Sequence, residues 1–219
     1  DGVYLSGGAL AADLGMPDVG LTTLGEVTDR ARRLATATRL PLLVDADTGF
    51  GEPLNVARTV QELERAGVAG LHLEDQENPK RCGHLGGKRL VDAADMERKL
   101  RAAAGARSDP ELVLVARTDA RAVHGLDAAI ERARAYLAAG ADMIFPEALA
   151  DEQEFRAFRQ AIDAPLMANM TEFGRSPLLD LGTLERLGYD LVIYPVTTLR
   201  LAMGAIERGL RAIHDEGTQ

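Results

Sequence analysis

Seven short apolar runs, each ending in polar residues, constrain this chain more than any other feature. They are Val3–Leu5, Leu40–Asp47, Leu71–Glu74, Leu112–Ala116, Met143–Glu147, Pro165–Asn169 and Leu191–Pro195. Between and after them the pattern predicts helices over Thr23–Thr38, Asn55–Ala66, Ala93–Ala104, Leu126–Ala139, Glu152–Ile162, Leu179–Leu187 and Leu199–Asp215. Thr23 and Glu26 have capping-box spacing, and Gly67, Gly140 and Gly188 stand where helices stop. Strands alternating with helices imply a parallel sheet. Leu42–Val44 is the unbroken apolar run of a strand covered on both faces. The first run leads into Gly7-Gly8, read as a tight glycine turn whose N–H groups can approach an anion. The segment Ala9–Gly20 reads as irregular.

The polar residues that end these runs are the second constraint. Ser6, Asp45 and Asp47, Glu74, Arg117, Glu147 and Asn169 stand at the C-terminal ends of successive strands, and Arg200 comes after the last. In a (β/α)8 barrel that rim is where the active site is built. A doubly wound open sheet is the alternative, but its site draws on fewer strand ends. The predicted fold is therefore an α/β barrel of TIM type, one domain over residues 1–219. That length suits a barrel of about 200–250 residues. Seven strands are one short of eight, so the first strand is expected to lie before Asp1.

Two stretches carry chemistry. Asp45 and Asp47 fall on one face of their strand and repel unless a cation or proton intervenes. Oxygen-only ligation suits Mg²⁺, with Mn²⁺ possible, and Glu74 adds a third acidic strand end. Asp residues also cap helices and shape turns. The second stretch is the loop after Glu74, which holds the only cysteine of the chain, Cys82. Lys80 and Arg81 precede it and His84 lies two residues beyond. Nearby cations favour a thiolate, and Gly83, Gly86 and Gly87 suit a loop that closes over substrate. The plain alternative for Cys82 is a small buried apolar residue.

Composition excludes several classes. A net charge of −9 with 4% aromatic residues gives no footprint for nucleic acid. A single cysteine fits a reducing cytosol, no run nears the roughly 20 apolar residues of a membrane span, and no signal peptide is visible. A cytoplasmic protein with a small-molecule partner is expected.

The strings Y-L-S-G-G (Tyr4–Gly8), P-D-V-G (Pro17–Gly20), L-L-V-D-A-D-T-G-F-G (Leu42–Gly51), G-L-H-L-E-D-Q (Gly70–Gln76), K-R-C-G-H (Lys80–His84), A-R-T-D-A (Ala116–Ala120), F-P-E-A (Phe145–Ala148), A-N-M-T-E-F-G (Ala168–Gly174) and Y-P-V-T-T-L-R (Tyr194–Arg200) run through nearly the whole chain in order. Together they resemble the isocitrate lyase/phosphoenolpyruvate mutase superfamily, and K-R-C-G-H resembles its lyase branch.

The resemblance implies a (β/α)8 barrel, usually in homotetramers that exchange C-terminal helices. The family has a further first strand and further C-terminal helices, which this chain is expected to lack. The implied reaction is Mg²⁺-dependent cleavage of 2-methylisocitrate to pyruvate and succinate, a step of propionate catabolism. The implied metal ligands are Asp45 and Asp47, with Asp18 and Glu74 in support. Tyr4 or a metal-linked carboxylate would be the base, and Cys82 the acid, tuned by Lys80, Arg81 and His84. Ser6, Gly7 and Gly8 would cradle one carboxylate; Gly83, Arg117, Asn169, Thr171 and Arg200 would bind the others, with Glu147 orienting the metal-bound end. Phe145 would leave room for the extra methyl where isocitrate lyases carry tryptophan. Related implied substrates are 2,3-dimethylmalate, oxaloacetate and isocitrate. The reading from another class is a non-catalytic barrel that binds metal and dicarboxylate.

Overall fold

The computed structural model describes residues 2–219. Among these are seven strands: β1 (Val3–Leu5), β2 (Leu42–Asp45), β3 (Gly70–Glu74), β4 (Val113–Thr118), β5 (Met143–Pro146), β6 (Met167–Asn169) and β7 (Leu191–Ile193). The helices are α1 (Gly7–Asp13), α2 (Leu24–Ala37), α3 (Pro53–Arg65), α4 (Ala93–Ala106), α5 (Ala120–His124), α6 (Leu126–Ala138), α7 (Glu152–Ala161), α8 (Leu181–Leu187) and α9 (Thr197–Glu216). Strands β1 to β5 pair in sequence order, all parallel. Strands β6 and β7 pair in the same sense, and a parallel bridge between Ile144 and Leu166 joins the two sheets.

Strand alternation shows that the sheet is rolled. Leu42, Val44, Leu71, Leu73, Leu114, Ala116 and Ile144 face outward into the main apolar layer under the helices. The intervening residues form a second, separate cluster: Val115 of β4, Phe145 of β5, Met167 of β6 and Ile193 of β7, with Tyr4 of β1 and Leu43 of β2 packed against it. Side chains of the first and seventh strands meet in one interior only when the sheet curls into a barrel. The expected (β/α) barrel architecture is thus present.

Local chemistry explains most boundaries. Both halves of the Thr23/Glu26 capping box form at the start of α2. Asp180 caps α8 by accepting from the Thr183 N–H at 2.9 Å, which moves its start to Leu181 rather than Leu179. Gly67 and Gly188 take positive φ where α3 and α8 end, as a left-handed stop requires.

Two segments depart from expectation. Gly7-Gly8 is the first turn of α1, not a tight turn, and the segment Ala9–Asp13 is helical. Ser6 caps that helix through the Ala9 N–H, and Ala9-Leu10-Ala11-Ala12 are strong helix formers. The short helix α5 lies in a segment to which the sequence pattern assigns no element.

Among the described residues, four other than glycine have positive φ: Asp47, Phe50, Ala148 and Phe173. All lie in loops that come after strands, at the rim. Such strain gathers where a site over-determines its backbone. At the opposite extreme α9 contributes no buried residue; Leu201, Met203, Ile206, Leu210 and Ile213 are exposed. Among the described residues no helix is long and apolar enough to cross a membrane.

Candidate active site

The inward face of the barrel changes character along its axis. Leu43, Val113, Met143 and Leu191 line one end and Val115, Phe145, Met167 and Ile193 the middle. Toward the C-terminal ends of the strands the same alternation delivers Asp45, His72 and Glu74, Arg117, Glu147 and Asn169, while Asp47 and Asp119 stand in the turns just beyond β2 and β4. Register fixes neighbours: Asp45 lies opposite His72, Glu74 opposite Arg117, and Arg117 opposite Phe145. Asp45, Asp47, His72, Glu74, Arg117, Asp119 and Glu147 are all buried.

Asp45 and Asp47 meet as expected, and Lys80 joins them. The Lys80 Nζ lies 2.7 Å from Asp47 Oδ1 and 2.5 Å from Asp18 Oδ1. Its ammonium is thus held by the carboxylates of the acidic pocket. Thr22 Oγ1 donates to Asp47 Oδ2 at 3.2 Å. Burial and the charge of Asp45 push the Asp47 carboxyl up to about 6. Burial also pushes Asp45 up, but His72, Lys80 and Arg117 outweigh it and hold that carboxyl well below the usual range. Burial keeps the Glu74 carboxyl well above its ordinary value despite Arg117.

Arg117 is the hub of the neighbouring cluster. Its Nε lies 3.0 Å from Asp119 Oδ2 and 3.3 Å from Glu74 Oε2, and its Nη1 3.3 Å from Glu147 Oε2. The guanidinium also covers the Phe145 ring at 5.1 Å. Burial opposes ionisation of Glu147, but Arg117 and His84 prevail and bring its carboxyl down to about 2.

The cysteine loop sits on this cluster. A Cβ on Gly83 would meet Glu147 Cγ at 2.4 Å and Arg117 Nη2 at 2.5 Å, so only glycine fits there. His84 Nδ1 accepts the Arg175 backbone N–H at 2.9 Å, which places its proton on Nε2, 3.1 Å from Glu147 Oε1. Asn169 Nδ2 reaches Glu147 Oε2 at 3.2 Å. Cys82 is partly buried. The Arg81 side chain is exposed, with Nη1 3.3 Å from the Gly86 carbonyl.

The Gly7 N–H donates to Asp45 Oδ2 at 3.1 Å and Ser6 Oγ accepts the Ala9 N–H, so the Gly7 N–H is withdrawn from the expected Ser6-Gly7-Gly8 cradle. Arg200 lies at the site's margin: its Nη1 pairs with Glu172 Oε2 at 2.7 Å and it covers Phe173. Thr171 is half-buried in the same loop.

The sequence reading missed His72, Lys88 and Asp119. Tyr4 Oη lies 2.8 Å from His72 Nε2, and burial lowers the imidazole to about 4, leaving it neutral at pH 7. Burial and then Asp45 raise the Tyr4 phenol well above its ordinary value. The signal for His72 was its spacing two residues before Glu74, which puts both on the inward face.

The donor set fits a hard divalent cation. Carboxylates at the rim outnumber the cations Lys80, Arg117 and Lys88, and His72 is neutral. Both Glu74 oxygens are buried without a hydrogen-bond donor. Among the described residues no three His, Cys, Asp or Glu side chains converge tightly enough to hold an ion alone. That pattern suits Mg²⁺, which keeps several waters and takes one or two carboxylates plus substrate oxygens.

The family model described as phosphoenolpyruvate phosphomutase matches residues 1–214. A probable 2-methylisocitrate lyase of Corynebacterium glutamicum is 64% identical over all of this chain and 72% of its own length. The 2-methylisocitrate lyase of Halalkalibacterium halodurans is 56% identical over 99% of this chain and 72% of its own. Among solved structures, oxaloacetate acetylhydrolase in complex with 3,3-difluorooxalacetate superposes with a TM-score of 0.95 at 38% identity, covering 98% of this chain and 74% of that one. Phosphonopyruvate hydrolase in complex with oxalate and Mg²⁺ gives 0.89 at 31% identity, covering 99% and 76%. The acid-lined rim, the seated K-R-C-G-H loop and these likenesses agree: the chain belongs to the phosphoenolpyruvate mutase/isocitrate lyase superfamily and groups there with the 2-methylisocitrate lyases.

Proposed function

We infer that the chain is a carbon–carbon lyase that cleaves 2-methylisocitrate to pyruvate and succinate. The observation that carries this reading is one of placement. The acid-rich pocket at Asp45 and Asp47 and the Cys82 loop border the same rim, joined by Arg117 and Glu147. The relatives' names supply the substrate.

The reaction removes the substrate's hydroxyl proton, breaks the bond between the carbinol carbon and its neighbour, and returns one proton to the succinate carbon. Mg²⁺, held by Asp45 and Asp47 with Asp18 and Glu74 in support, would supply positive charge to the substrate's hydroxyl and carboxylate oxygens. The magnesium complex of phosphonopyruvate hydrolase supports that choice of metal. Tyr4 is protonated at neutral pH, so it takes the hydroxyl proton only by passing its own to His72, 2.8 Å away. Cys82 gives the proton that completes succinate. Arg117, fixed by Asp119, faces a substrate carboxylate, and Asn169 and the Gly83 backbone border the same space. Arg200, in the first turn of α9, and Thr171, in the loop after β6, close on the far carboxylate.

Phe145 lies fully buried beneath Arg117, its ring centre 5.6 Å from that of His72 in an edge-to-face arrangement. Its size relative to tryptophan favours the methylated substrate by about 1–3 kcal/mol, the worth of one methylene. The reading also includes a cytoplasmic homotetramer of propionate catabolism built on a single barrel domain. The exposed apolar residues of α9 support assembly, and sedimentation equilibrium gives the chain number.

Product analysis by NMR tests the activity. With Mg²⁺, equimolar pyruvate and succinate form from 2-methylisocitrate well above glyoxylate from isocitrate, and EDTA abolishes both. Neither product from folded, Mg²⁺-loaded protein would overturn the reading and direct the screen to 2,3-dimethylmalate and oxaloacetate.

A further inference from the structure

Residues outside the reaction hold the cysteine loop on the rim. At its start, the Gln76 side chain clamps the Arg81 backbone from both sides: Oε1 accepts the Arg81 N–H at 2.8 Å and Nε2 donates to the Arg81 carbonyl at 2.9 Å. At its far end, the Lys88 Nζ reaches back to the Gly83 carbonyl and also lies 2.6 Å from Asp119 Oδ1. Gln76 Nε2 is 3.1 Å from the other Asp119 oxygen. Both ends of the loop therefore converge on one fully buried carboxylate, which also holds Arg117 at 3.0 Å.

Asp119 is fixed from behind. Its backbone N–H donates to Asp75 Oδ1 at 2.9 Å, and Asp75 Oδ2 accepts from Thr118, Tyr136 and Arg132. A continuous hydrogen-bonded path thus runs from α6, outside the barrel, to the carbonyl of Gly83. None of these residues lies among the groups assigned to metal, base or acid. The buried Lys88 ammonium has Asp119 and the Gly83 carbonyl as partners. Lifting the loop strips away the second, and a buried charge strongly disfavours losing a partner.

We propose that Asp119, Lys88 and Gln76 form a latch that seats the Cys82–His84 segment on the Arg117–Glu147 rim and couples that seat to the occupancy of Arg117. They are positioning residues, and their importance for turnover rests on the lyase reading above. The coupling arises from shared charge. Arg117 and Lys88 draw on the same carboxylate, so an anion bound at Arg117 leaves Asp119 to hold Lys88 more firmly. Substrate then tightens the loop that delivers the proton.

The experiment uses the sole thiol. Iodoacetamide labelling of Cys82 is measured against pH; the alkaline plateau reports exposure and the midpoint reports acidity. K88M and Q76L raise the plateau rate about tenfold or more, as local opening becomes easier. Succinate slows labelling in the parent but not in K88M. K88R restores slow labelling, and kcat falls in K88M and Q76L more than KM rises. R121L, which removes the Arg121–Glu154 pair away from the loop, leaves labelling unchanged. Parent-like plateaus in folded K88M and Q76L would overturn the latch; if K88M does not fold, Q76L alone decides. Labelling needs no turnover, so failure of the latch and failure of the lyase reading are read separately.

Discussion

The two sides of the barrel rim are built differently. From β2 to β5 the site side chains are buried and locked to one another: Glu74 and Glu147 are 1% exposed and His72 not at all. From β6 to α9 the groups are looser. The Arg200 side chain is 40% exposed and paired with a loop glutamate, and α9 buries nothing. A low-dielectric charge cluster whose geometry is set before substrate arrives stabilises developing charge without reorganising. Loops with little burial are the part free to adapt to a ligand. On the proposed lyase reading, the reacting end binds on the rigid side and the looser side closes over the far carboxylate.

The largest effect that would break this division is at Arg117. R117L leaves Glu74, Asp119 and Glu147 without their shared cation and destabilises the fold by about 3–5 kcal/mol. Urea unfolding measures it; a loss under 1 kcal/mol, on the order of a surface pair, would show that the cluster is not pre-set. Next in size is a pair of truncations. I193A, in the barrel interior, lowers stability by about 2–5 kcal/mol, whereas I206A, on the exposed face of α9, changes it by less than about 0.5 kcal/mol in the isolated chain.

Asp47 supplies the pH test. Its folded pKa, about 6, lies above its unfolded value near 4. Between those values the folded chain binds more protons than the unfolded one, so metal-free stability falls as pH rises from about 4 to about 6. A bound cation removes that penalty. Mg²⁺ therefore raises Tm more at pH 7 than at pH 5, and its affinity drops by up to about tenfold per pH unit below 6. Equal shifts at both pH values would argue against Asp47 as a ligand. The smallest effect is at Arg200: R200A alters stability by no more than about 1 kcal/mol yet raises KM for 2-methylisocitrate.

The rigid side was the more legible in sequence. Asp45, Asp47, Glu74, Arg117 and Glu147 announced themselves because strand ends are marked by an abrupt change from apolar to charged residues. The helix α1 was obscured by Gly7-Gly8, whose low helix propensity is outweighed by the Ser6 cap and the alanine run behind it. His72 was hidden inside an apolar strand whose inward face is itself polar at that level. Lys80 and Arg81, adjacent in sequence to Cys82, looked like its tuners. The loop turns one toward Asp18 and Asp47 and the other toward solvent, a choice set by tertiary contacts. Lys88 and Asp119 lie 31 positions apart and meet only because the loop after β3 folds back over β4.

The most direct test of the account is Cys82→Ser, with turnover and Mg²⁺-dependent binding of 2-methylisocitrate measured on one preparation. If the rigid side binds and the loop delivers the proton, kcat falls by about 10²–10⁴-fold, the span of a lost general acid, while calorimetric affinity is unchanged. Turnover equal to the parent would remove Cys82 from the chemistry. Binding lost together with turnover would show that the two sides of the rim are not separable.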